Sequence, residues 1–62
     1  MIKCMVIRTD EHGNAFLISE NLTEAQADAL LAKFHGHKQY YTKIFYTSLT
    51  RAQIVAQHGI TV

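Results

Sequence analysis

The sequence predicts an α+β domain with element order ββαβα. It would hold a three-stranded sheet in order 2-1-3, one long helix packed on one face, and a short C-terminal helix. Three observations lead there. An apolar run rich in β-branched residues at 2–8 and a second apolar run at 15–19 flank a cluster of turn formers. A capping box opens an amphipathic helix at Thr23. An aromatic run at 40–48 precedes a second helix-start pattern.

The first run, Ile-Lys-Cys-Met-Val-Ile-Arg, carries apolar side chains at both parities. A strand buried on one face alternates, whereas one buried on both does not, so this is the expected central strand. Thr9 to Asn14 supply the turn, and Gly13 can take the positive φ of a short hairpin loop. Ala15 to Ser19 return antiparallel.

Thr23-Glu-Ala-Gln26 has the spacing of a reciprocal cap, in which hydroxyl and amide side chains each serve the other residue's backbone N–H. Leu22 stands at the hydrophobic-staple position. Ala27, Leu30, Leu31 and Phe34 form one apolar stripe, and Gly36 is the expected left-handed stop. In the third strand Tyr40, Thr42, Ile44 and Tyr46 share one face, and Tyr41, Lys43, Phe45 and Thr47 the other. Both faces are mixed, so alternation does not say which is buried.

Leu49-Thr-Arg-Ala-Gln53 repeats Leu22-Thr-Glu-Ala-Gln26 at four of five positions, and each copy runs on to a His-Gly pair. Helix-end chemistry accounts for the repeat without a duplication. It marks a second helix over Arg51–His58, with Ile60 folding back on it. A right-handed strand–helix–strand connection makes strands two and three parallel, with the first strand antiparallel between them.

The chain has 62 residues, so one domain (1–62) is expected. Such a chain buries only roughly 60% of its unfolded surface, and the single cysteine, Cys4, allows no internal disulfide. Economical packing or a homodimer must then supply stability. No span approaches the ~20 apolar residues of a transmembrane helix, and residues 1–7 are too short for a signal peptide. A lone cysteine suits a reducing compartment, so a cytoplasmic protein without membrane contact is expected.

Charge is unevenly distributed. All acids lie between Asp10 and Asp28, and beyond Asp28 only Lys33, Lys38, Lys43, Arg51 and histidines follow. That asymmetry points to an anionic partner or to charge-matched self-association. One candidate contact set for nucleic acid or another anion is Lys33, Lys38, Tyr40, Tyr41, Lys43, Tyr46 and Arg51, since cations beside sheet aromatics hold single strands. His35 and His37 read as a cationic helix end rather than a metal site. No nucleophile elbow, Walker or dinucleotide motif occurs, Cys4 sits within a central strand, and no cofactor is expected.

Leu49 to Val62 resembles the first helix and turn of a helix-turn-helix motif. The resemblance implies a helix ending at Gly59. It does not imply major-groove reading, because the sequence stops where the recognition helix would begin.

The expected function is therefore non-enzymatic. The chain reads as a protein-interaction or assembly module that self-associates through the third strand or an open sheet face. Nucleic-acid binding by the basic half is the alternative.

Overall fold

The computed structural model describes residues 1–34 and 40–62. The elements are β1 (Lys3–Thr9), β2 (Ala15–Leu22), α1 (Glu24–Lys33), β3 (Tyr40–Tyr46), α2 (Arg51–His58) and β4 (Ile60–Thr61). The class is α+β, but the sheet has four strands in order β3-β1-β2-β4, not three. The first three stand as the sequence implies, with β1 antiparallel to both neighbours. The fourth pairs parallel to β2, Ile60 beside Ala15 and Thr61 beside Phe16. A two-residue strand has no periodicity to read. It forms because Gly59 closes α2 at φ 63 and turns Ile60 back into the core, where it is buried.

The helices also differ from the long-and-short expectation, at 10 and 8 residues. α1 stops at Lys33 with Phe34 as its C-cap. The expected stop at Gly36 falls outside the described residues, as do His35, His37 and Lys38.

At the start of α1 the reciprocal cap is complete. The Gln26 N–H donates to Thr23 Oγ1 at 3.1 Å, and the Thr23 N–H donates to Gln26 Oε1 at 3.0 Å. The start of α2 does not repeat it. Thr50 lies at helical φ and ψ and makes no cap bond. Instead its Oγ1 accepts from the Thr47 N–H at 2.9 Å, while the Thr47 carbonyl accepts from the N–H groups of Thr50 and Arg51. The first turn thus begins three residues early, and Thr50 takes the role that Gln26 takes in α1.

In the hairpin, the Asp10 carboxylate accepts from the His12 and Asn14 N–H groups and from Asn14 Nδ2, all within 3.0 Å. β2 runs past the expected end at Ser19 to Leu22 by carrying extra residues. Register shifts against β1 fall at Ile18 and at Glu20–Asn21, where Asn21 adopts φ 59. Such bulges bend a strand and re-aim its side chains.

β1 is buried on both faces. Cys4 and Val6 pack with Ala27 of α1, backed by Leu22, Leu30, Leu31 and Tyr41. Met5 and Ile7 pack with Ala15, Tyr46 and Ile60, backed by Leu17, Ile44, and Ile54 and Val55 of α2. The face left open in the sequence-based picture is therefore where α2 rests. Leu22 and Ala27, at the staple positions, meet in one cluster.

The cap of α1 is predicted to contribute measurably. Thr23→Ala should lower the stability in urea titrations by about 1 kcal/mol, with the m-value unchanged.

Candidate functional site

β3 forms one outer edge of the sheet, and among the described residues no strand pairs with its far side. It is held from within. All seven residues pair with β1 in unbroken register, from Lys3 opposite Tyr46 to Thr9 opposite Tyr40. Strand alternation sends Tyr41, Lys43 and Phe45 to the α1 side, and Tyr40, Thr42, Ile44 and Tyr46 to the other.

Two aromatic rings are anchored. Tyr46 is buried, and its hydroxyl accepts from the Asn21 N–H at 2.8 Å. The left-handed turn of Asn21 is what aims that N–H at the phenolic oxygen. Tyr41 stacks on Phe34 with centroids 4.0 Å apart. Two rings are not anchored in this way: Tyr40 is 65% exposed and Phe45 50% exposed. Phe45 also borders an open groove of about 400 Å³ at the end of the strand, with Ile2, Thr50, Ile54 and Gln57.

Lys43 is the single charge on the strand. Its ammonium lies 2.8 Å from Asp28 Oδ1 and 3.3 Å from Glu24 Oε2, and 5.3 Å from the Phe45 ring centroid. The hydrogen bond to Asp28, then that to Glu24, holds its pKa above the ordinary lysine range. Glu24 and Asp28 are four residues apart, which sets both carboxylates on one helix face above the strand.

Arg51 donates to both carboxylate oxygens of Glu20, Nε to Oε1 at 3.1 Å and Nη2 to Oε2 at 2.8 Å. A cation in the first turn of a helix opposes the helix dipole, and Glu20 offsets it there. The Arg51 hydrogen bond is the main cause holding the Glu20 carboxyl below the usual range, with the charges of Arg51 and Lys3 adding. Asp10 is likewise lowered, chiefly by the Asn14 side chain.

The anion-contact set is thus dispersed. Lys43 and Arg51 face carboxylates, Tyr46 is inside, and Tyr41 is stacked. Lys33 at the end of α1 and Tyr40 on β3 are exposed, and Lys38 lies outside the described residues. Sequence reasoning did not single out Glu20, Asn21 or Phe45. The bond partners of Glu20 and Asn21 are 31 and 25 residues away, a separation that leaves no local signal.

Among the described residues, no helix is long and apolar enough to cross a membrane, and no three His, Cys, Asp or Glu side chains are grouped to hold a metal. Comparison with protein-family models, curated proteins and solved structures gives no match.

Two outcomes are expected. Tyr46→Phe removes the acceptor of the Asn21 N–H and should cost about 1–2 kcal/mol in denaturant titrations. Glu20 gives an acid-side dependence. A carboxyl lowered in the folded state contributes fully above its unfolded pKa and loses that contribution as pH falls through the folded value. The melting temperature of the wild type should therefore fall below the ordinary carboxylate range, and Glu20→Gln should show a smaller fall over the same interval.

Proposed function

We propose that this protein is a non-enzymatic interaction module that adds a strand from a protein partner to the outer edge of β3. The condition of that edge carries the reading. Natural sheets block open edges with proline, bulges, short strands or outward charges. β3 has seven residues, no proline and no bulge against β1. Its one charge is drawn onto α1 by two carboxylates rather than guarding the edge. Exposed Tyr40 and Phe45 stand near its two ends. Strand addition takes its affinity from main-chain hydrogen bonds and its selectivity from side chains at alternate positions, and such an edge offers both.

The alternative is nucleic-acid binding by the basic half. It has less support, because a stacking platform needs open ring faces and uncommitted cations. Two of the three tyrosines proposed for it are buried or stacked, and Lys43 and Arg51 already face carboxylates.

The test combines capture of partners, with and without nuclease, and a variant that charges the edge. Tyr40→Lys/Phe45→Lys should keep the fold, as judged by circular dichroism, and lose a nuclease-resistant partner or self-association. Hydrogen exchange should slow at the β3 amides when the wild type is bound. Unchanged association in the double variant overturns the proposal, and so does recovery that disappears with nuclease.

A further inference from the structure

The residues of β3 form a near-palindrome. Read from either end, Tyr-Tyr-Thr-Lys-Ile-Phe-Tyr gives two aromatics, a β-branched residue, and then the central Lys43. Parallel pairing, or pairing with an unrelated segment, makes no use of this symmetry. Antiparallel pairing of β3 with itself does, because a two-fold axis through Lys43 sets position 40 against 46, 41 against 45 and 42 against 44. Such an isologous contact closes on itself and stops at two copies.

The state of the side chains follows the same symmetry. In that register exposed Tyr40 lies across from the partner's Tyr46, which Asn21 anchors, on the side away from α1. Exposed Phe45 lies across from the partner's Tyr41, stacked on Phe34, on the α1 side. Each exposed ring would meet a fixed one. Aromatic cross-strand pairs are among the favourable ones in antiparallel sheets.

Among the described residues of the strand, the centre poses an electrostatic problem. Lys43 would face the partner's Lys43, and like charges directly opposite one another destabilise a strand pair. Within each copy, however, Glu24 and Asp28 both contact the Lys43 ammonium. The two ammoniums would meet already neutralised and drawn toward α1.

We propose that the partner for the β3 edge is a second copy of this chain, paired antiparallel about Lys43, with Glu24 and Asp28 acting as the counter-charges that allow the central contact. The inference rests on the edge-pairing reading above and adds partner, register and the role of the two carboxylates. The combined sheet would run β4-β2-β1-β3 and continue through the same strands of the partner in reverse. The two α1 helices would stand on one face.

Light scattering over a concentration series, together with cysteine cross-linking, tests this. In the proposed register Lys43→Cys faces itself. Antiparallel neighbours sit roughly 4.5–5.5 Å apart at Cα, inside the range a disulfide spans. Thr42→Cys would stand roughly 8 Å from its twin and serves as the control. Under glutathione disulfide, Lys43→Cys should give a covalent dimer and Thr42→Cys little. Glu24→Gln/Asp28→Asn should weaken the dimer, raising its Kd by up to about fivefold, and adding Lys43→Met should restore it.

The outcomes separate the two proposals. A wild-type dimer abolished by the edge-charging variant, with cross-linking at another position and none at Lys43→Cys, overturns the register and keeps the edge. A strictly monomeric wild type at millimolar concentration overturns the second copy. The edge reading then stands or falls on capture of a partner that the edge-charging variant loses. A wild-type dimer that survives charging of the edge overturns both. A dimer indifferent to Glu24→Gln/Asp28→Asn removes the counter-charge role.

Discussion

Burial of β1 on both faces is the constraint on which the fold depends. Cys4 to Ile7 are at most 4% exposed, and no other described stretch is so fully enclosed. Two clusters on opposite sides of one strand can be satisfied only if something covers each side and something pairs with each edge. α1 covers the side of Cys4 and Val6, Ile54 and Val55 of α2 reach the side of Met5 and Ile7, and β2 and β3 take the edges. With so few buried residues among those described, each carries a large share of the apolar stabilisation. β3, paired with β1 on one side, becomes an edge as a consequence of β1 lying at the centre.

The charge asymmetry along the chain takes a different meaning in three dimensions. The basic second half folds onto the acidic first half. Lys43 meets Glu24 and Asp28, and Arg51 meets Glu20. These pairs are partly or largely solvent-exposed, and such pairs add little to stability. They do fix where charge sits. The edge strand is left nearly neutral, and the helix with an Arg in its first turn is given an anion. A segregated charge pattern can therefore record internal matching as well as an external ligand.

Features set by neighbours in sequence were legible. The hairpin follows from apolar runs around Asp10 to Asn14, the cap of α1 from four residues, and the turn at Gly59 from its place after a helix. Two local readings went astray for identifiable reasons. The Thr50 pattern copies a cap, but Thr47 three residues earlier offers its carbonyl first, so Thr50 falls inside the turn. β4 is too short to leave a pattern. Features that depend on distant partners were not legible. Nothing near Glu20 signals Arg51, and nothing near Asn21 announces a left-handed bulge aimed at Tyr46. Mixed alternation in β3 concealed which tyrosines would be anchored and which exposed, and the edge reading turns on that distinction.

The strand order has a consequence for biosynthesis. β1 leaves the ribosome first, yet one of its two edges must wait for β3, more than thirty residues later. The central segment therefore cannot be enclosed until the second half of the domain has been made. Until β3 follows, the most deeply buried strand of the fold has an open edge that chaperones and other unfolded molecules can reach.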